Sequence, residues 1–257
     1  KPVDSAGSKG VTKVEKKESL KAAIEIALES SISKHFIIED FLDKVGAQSS
    51  ADIFSVEGKL VYPAYSDQLF DKNAANPYTP AIEIWPSSMP QEFQDDLTEQ
   101  LQRLITLLGM KTGIYNVESR VCSDGKAYIM EVSPRGGGNR IAELQDMATG
   151  QKLIKNEILK ALNMPLDHIT APKYDGVWCN YILHSSHAGI LETVEIDDSF
   201  RQQYIKDEGL IVKKGDAIHP FTGANTSLGT LFLRAENRKE LDTIIGSIDD
   251  FVKIKLV

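Results

Sequence analysis

Residues 113–140, GIYNVESRVCSDGKAYIMEVSPRGGGNR, constrain this chain more than any other stretch. Two β-favouring runs meet at Asp124-Gly125, a dipeptide suited to a tight hairpin turn, so two antiparallel strands are expected. The hairpin places Glu118 and Glu131 on neighbouring strands. Ser133, Arg135 and a run of three glycines follow the second acid. Side chains alternate faces along a strand, so Glu131 is expected to share a face with Ile129 and Ser133, opposite Met130 and Val132. A carboxylate on a half-buried sheet face needs a partner. A hard divalent ion is one such partner, and an arginine beside bare backbone can hold phosphates or a carboxylate. The plainer alternative is two solvated strand acids paired with nearby Lys or Arg.

With 257 residues the chain can form one large domain or two modest ones around a real core. A formal net charge of −8 argues against nucleic acid or an anionic membrane as the main partner, since both attract basic surfaces. The only thiols, Cys122 and Cys179, form neither a metal-binding spacing nor a disulfide framework, which points to a reducing cytoplasm. No apolar run reaches the length of a membrane span and no signal peptide is expected. The chain opens on Lys1-Pro2 without a methionine, so material N-terminal to it is expected to be missing.

Helical periodicity through Leu20, Ile24, Ala27 and Leu28 predicts a helix over 17–31. A short strand is expected at 36–38, and a hairpin at 51–55 and 59–66 turning at Glu57-Gly58. Residues 67–79 lack periodicity and read as a mobile loop. A strand at 81–85 precedes a long amphipathic helix marked by Phe93, Leu97, Leu101, Leu104 and Leu108, which stops at Gly109. Helices are expected at 141–147 and 153–162, broken at Gly150, and a linker at 167–175. The remainder favours strands at 177–183, 189–196, 210–212, 229–234 and 251–256, with one helix over 238–248.

Three other motifs carry weaker chemistry. In the Gly/Ser/Lys-rich segment 1–11, backbone N–H groups can converge on an anion, although the P-loop spacing is absent and such a segment is often only a loop. Residues 38–42, Ile-Glu-Asp-Phe-Leu, end a strand with main-chain groups free to read an adenine edge. Gln48 could reach a ribose hydroxyl or be a polar loop residue. His184 and His187 fit a solvated turn better than a metal site.

Taken in order, these motifs resemble the ATP-grasp superfamily across residues 1–162. The resemblance rests on the loop 1–11, the hinge Glu39-Asp40-Phe41-Leu42, the acids Glu118 and Glu131 with Val132-Ser133-Pro134-Arg135-Gly136-Gly137, and Ala148-Thr149-Gly150. Within it the chain is most similar to carboxylate–amine ligases, including L-amino acid ligases, and to carbamoyl-phosphate-synthetase-like and biotin-carboxylase-like proteins. The resemblance implies an α+β fold, two α+β subdomains clasping a nucleotide, with a small β-rich C-terminal domain. Residues 1–165 would form the ATP-grasp domain, lacking its N-terminal part, and 173–257 the small domain.

It further implies ATP with Mg²⁺ or Mn²⁺, and small-molecule carboxylate and amine substrates joined through an acylphosphate. Lys1 would contact the phosphates under a lid containing Ser5, Gly7, Ser8 and Gly10. Glu39, Asp40 and Leu42 would meet adenine, largely through backbone, and Gln48 the ribose. Glu118, Glu131 and Ser133 would hold metal. Arg135 would steady the transferring phosphoryl group or the carboxylate. Apart from the resemblance, Lys72 in the polar loop is expected to reach the γ-phosphate on closure. Ser133 stands where the family has asparagine, which implies a weaker or water-mediated second metal. The resemblance leaves room for a homodimer, for a carbamoyl-phosphate-synthetase or biotin-carboxylase type of reaction, and for a core that does not turn over alone.

Overall fold

The computed structural model describes residues 1–5 and 9–257; Gly7 and Ser8, expected in the lid, lie outside them. The strands are β1 (Lys44–Val56), β2 (Lys59–Tyr65), β3 (Asp67–Phe70), β4 (Pro80–Trp85), β5 (Gly113–Cys122), β6 (Ala127–Ser133), β7 (Val177–Leu183), β8 (Gly189–Ile196), β9 (Ile205–Leu210), β10 (Ala217–Ile218), β11 (Gly229–Ala235) and β12 (Val252–Leu256). The helices are α1 (Leu20–Ser30), α2 (Gln91–Leu107), α3 (Ile141–Thr149), α4 (Leu153–Ala161), α5 (Asp198–Tyr204), α6 (Arg238–Gly246) and α7 (Ile248–Phe251). The fold is mixed α+β. A nine-stranded sheet runs β6-β5-β1-β3-β4-β7-β11-β9, with β2 paired to β1, and a three-stranded sheet runs β10-β8-β12.

The two faces of the large sheet have different partners. On one face Ala51, Ile53 and Val117 pack on Leu97, Leu101 and Ile105 of α2, an apolar stripe at helical spacing. Each of those buried aliphatic side chains contributes about 1.5–3 kcal/mol. Further along the same face, Ile84, Cys179, Leu231 and Leu233 meet Leu241 and Ile244 of α6. The opposite face carries Phe54, Trp85, Trp178 and Phe232 under α3 and α4. Between those aromatic clusters the second face is polar, and the candidate site lies there.

Several elements differ from expectation. Among the described residues, 36–38 make a single bridge, Phe36 to Pro2, and the ladder goes no further toward Val3 because His35 N donates to Ser31 Oγ at 3.1 Å. Part of the supposed loop 67–79 is β3. Asp67 there accepts from Ser87 Oγ at 2.7 Å, Ser88 N at 2.9 Å and Arg238 Nη1 at 2.5 Å, so a polar run is buried by pairing rather than by apolarity. β9 occupies 205–210 rather than 210–212, and α5, capped by Asp197 Oδ1 accepting from Phe200 N at 2.9 Å, was not expected. The β5–β6 ladder slips between Glu118 and Ser119, so that Glu118 opposes Glu131 while Ser119 opposes Ile129. That bulge breaks strict alternation. Ile129 therefore packs with Val132 on the α2 face, away from Glu131.

Candidate functional site

Three cross-strand rows make the polar face. Register aligns Asp52 with Asn116 and Ser133, Ser50 with Glu118 and Glu131, and Gln48 with Arg120 and Tyr128. Cross-strand partners share a face of the sheet, so the alternate positions Gln48, Ser50 and Asp52 of β1 look out beside the acidic pair.

Glu118 is half-buried and Glu131 exposed. Burial pushes the Glu118 carboxyl above its ordinary range and the facing Glu131 adds to that, while Arg120, Arg135 and Lys1 pull it down. Ser133 Oγ donates to Glu131 Oε1 at 2.9 Å. A hard divalent cation between the carboxylates would relieve the repulsion that Glu118 carries. Two acids and a hydroxyl also leave coordination positions for phosphate oxygens and water, as Mg²⁺ prefers. Among the described residues no group of three or more His, Cys, Asp or Glu gathers as a metal cluster.

Arg135 is exposed, its Nη1 donating to Gly136 O at 2.8 Å. The glycines behind it pack against Asp52. A Cβ on Gly137 would lie 2.6 Å from Ile141 Cδ1 and 2.9 Å from Asn116 Nδ2, so a larger residue there would have to displace both side-chain tips. Asp52 is 0 % exposed; its Oδ1 accepts from Gly137 N at 2.8 Å and Asn116 Nδ2 at 3.0 Å, while Oδ2 has no partner. Burial raises its pKa to about 6, against the pull of those hydrogen bonds and Arg135.

The N-terminal strand of chain is tied to the hinge. Lys1 N donates to Ile37 O at 2.9 Å, Ile37 N donates to Lys1 O at 2.8 Å, and the Lys1 ammonium pairs with Glu39. Asp4 turns its carboxylate to Ser31 Oγ at 2.6 Å and Ser33 N at 2.7 Å, which holds it well below the usual range, Ser31 contributing most. Ser5 is exposed. Gly10 has φ +76°, and a Cβ there would sit 2.6 Å from Ser30 Cβ.

Asp40 is exposed, and Leu42 is half-buried with its carbonyl accepting from Arg120 Nη1 at 2.8 Å. Gln48, expected to reach a ribose hydroxyl or to be a polar loop residue, lies inside β1. It accepts from Arg120 Nη2 at 2.5 Å and donates to Gln68 Oε1 at 2.9 Å and Glu118 Oε2 at 3.3 Å. Lys72 is exposed on the turn after β3. The structure thus brings Lys1, Glu39, Arg120, Gln48, Glu118, Glu131, Ser133 and Arg135 to one end of the face, and leaves Lys72 outside their contacts. His184 stacks on Phe221 at 4.2 Å, and its ring nitrogens lie 2.7 Å from Ile182 O and 3.1 Å from Asp71 Oδ2, a structural role.

Sequence reasoning passed over Asp52, Asn116, Arg120, Gln68, Glu83 and Asn180. A signal for the first existed in Gln48-Ser49-Ser50-Ala51-Asp52-Ile53, which is polar at every second position.

Comparison with known proteins adds family to geometry. Over 143 residues the chain is 29% identical to a D-alanine–D-alanine ligase of Parabacteroides distasonis, covering 53% of this chain and 41% of that protein. It is 27% identical over 150 residues to carnosine synthase 1 of Gallus gallus, covering 57% and 16% of the two chains. The chain therefore spans less than half the length of either relative. Among solved structures it is similar to the L-amino acid ligase from Bacillus licheniformis, with TM-score 0.75, 19% identity, and coverage of 96% of this chain and 62% of that one. Biotin carboxylase from Campylobacter jejuni superposes with TM-score 0.74 at 15% identity, covering 98% and 56%. These likenesses in structure show the fold. The family model of the ATP-grasp domain matches residues 1–143, more than half of the chain, and the chain belongs to the ATP-grasp family.

Proposed function

We propose that this chain is the nucleotide-binding core of an ATP-dependent carboxylate–amine ligase. The observation that carries the proposal is the facing of Glu118 and Glu131 across β5 and β6, with Arg135 and the glycine run directly after them. Mg²⁺, when bound by the two carboxylates, would supply charge neutralisation to the nucleotide phosphates. Lys1 would add positive charge at the phosphates once nucleotide replaces its pairing with Glu39. The main-chain groups of 39–42, with Leu42 held by Arg120, would meet the adenine edge.

Arg135 would orient the substrate carboxylate or the transferring phosphoryl group. The carboxylate oxygen would attack the γ-phosphorus and ADP would leave, giving an acylphosphate. An amine would then attack the acyl carbon and expel phosphate. Such an intermediate hydrolyses readily, so water must be excluded, and the segment around Gly10 would act as cover.

The test is phosphate release by the full-length protein over a panel of amino acids, with Glu131→Gln as control. Turnover should need both a carboxylate and an amine, and the variant should lose it, because a neutral amide binds Mg²⁺ poorly. Near-normal ADP release from Glu131→Gln would sink the metal assignment. ADP formation driven by bicarbonate without any amino acid would move the reading to a carboxylase.

A further inference from the structure

The row of Arg120 and Gln48 continues across the sheet, at right angles to the strands, as a line of polar side chains. Register pairs Arg120 with Gln48, Gln48 with Gln68, Gln68 with Glu83, and Glu83 with Asn180, from β5 through β1, β3 and β4 to β7. The last four are buried, Glu83 to 2 % exposure and Asn180 to 0 %. The hydrogen bonds all run one way. Arg120 Nη2 donates to Gln48 Oε1 at 2.5 Å, Gln48 Nε2 to Gln68 Oε1 at 2.9 Å, and Gln68 Nε2 to Glu83 Oε1 at 3.2 Å. At the far end Asn180 Nδ2 donates to Asn139 O at 2.6 Å.

Neither end can be reversed. A guanidinium only donates, so Gln48 must turn its oxygen to Arg120; a carbonyl only accepts, so Asn180 must turn its nitrogen to Asn139. Between these ends one link is open. Glu83 Oε2 and Asn180 Oδ1, on directly opposed residues, are both buried and accept no hydrogen bond of ordinary geometry, the Ser50 hydroxyl lying near the Glu83 carboxyl without completing one. As a carboxylate, Glu83 would set two buried acceptors against each other on opposed residues.

We infer that Glu83 is a neutral carboxylic acid whose proton is donated to Asn180 Oδ1, closing a hydrogen-bonded relay from Arg120 to Asn139. The surroundings agree. Burial, then the negative charges of Asp52 on β1 and Glu118 on β5, raise the Glu83 carboxyl to about 8, while the Gln68 amide on β3 and the nearby Ser50 hydroxyl on β1 oppose this. The thiol of Cys179 on β7 is itself pushed far up by burial, and so stays neutral beside it.

The relay joins two parts of the site. Its first amide also donates to Glu118 at 3.3 Å. Its last holds Asn139, which with Arg140 forms a pair of consecutive left-handed residues, φ +51° and +62°, that ends the glycine run and opens α3. Such backbone is costly for non-glycine residues and needs anchoring. Glu83 is accordingly a positioning residue that couples the metal-facing acid to the loop behind Arg135, a role that rests on the ligase reading; its protonation does not.

Infrared spectroscopy of the full-length protein at neutral pH tests the proton directly. Wild type should show the carbonyl stretch of a buried protonated carboxyl that Glu83→Gln lacks; identical spectra would overturn the inference. Glu83→Gln restores an N–H donor toward Asn180 and should keep Mg²⁺-dependent ADP affinity within about twofold, whereas Glu83→Leu should lose about tenfold, the lower end for residues that orient metal ligands. Equal losses in the two variants would overturn the positioning role. If Glu83→Leu does not fold, the affinity of Glu83→Gln still decides, a tenfold loss there counting against it. Absence of ADP binding in wild type would instead strike the ligase reading and leave the infrared result standing.

Discussion

Asp52 offers a direct measurement of what the polar face costs the fold. Its carboxyl is fully buried, one oxygen has no partner, and its pKa rises from an ordinary 3.8 to about 6. A carboxyl raised in the folded state binds more protons folded than unfolded between those values. Its favourable contribution is complete below 3.8 and is lost as pH rises through about 6. At about 1.36 kcal/mol per pH unit the interval amounts to about 3 kcal/mol. Asp52→Asn keeps an acceptor for Gly137 N and Asn116 and removes the ionisation. The stability of the variant relative to wild type should therefore climb by about 3 kcal/mol between pH 4 and pH 7 and level off above that. Urea denaturation of both proteins at several pH values measures the difference. A flat difference, or one that falls with pH, would refute the reasoning and mean that Arg135 and Gly137 hold Asp52 as a well-compensated anion.

Other perturbations test the scaffold around it. Gly229→Ala should destabilise the protein by about 3 kcal/mol, since φ there is +138° and a Cβ would lie 2.3 Å from Gly209 O; a midpoint unchanged in urea would contradict the close β9–β11 approach. Arg120→Lys keeps the charge but loses the fork that spans Leu42 O and Gln48 Oε1, so stability should fall by about 1–2 kcal/mol in the same assay, and full stability would show that the hinge needs no guanidinium.

Much of the fold was legible because apolar periodicity reports burial. Of the stripe expected on α2, Leu97 and Leu101 are buried, while Ile105 takes the inward position and Leu108 is exposed; the aromatic and branched runs of β4, β7 and β11 announce strands packed on both faces. The Asp124-Gly125 turn likewise announced the hairpin, with Gly125 at φ +76°. The same signal failed at β3, where Asp67 and Gln68 are buried by polar partners, and at the bulge near Met130, where one extra residue turns Ile129 away from Glu131.

The sequence by itself determined the acidic hairpin, the glycines after Arg135 and the order of motifs that mark the family, because turn chemistry, backbone freedom and residue type are local properties. Only the tertiary structure decided that Glu118 faces Glu131, that Asp52 clasps the glycine loop, and that Gln48, Gln68, Glu83 and Asn180 line up across four strands. A polar residue at alternate strand positions looks the same in sequence whether water or another strand's amide will meet it. What packs above the sheet, and which register the strands take, settles that difference, and both are contacts between residues far apart in the chain.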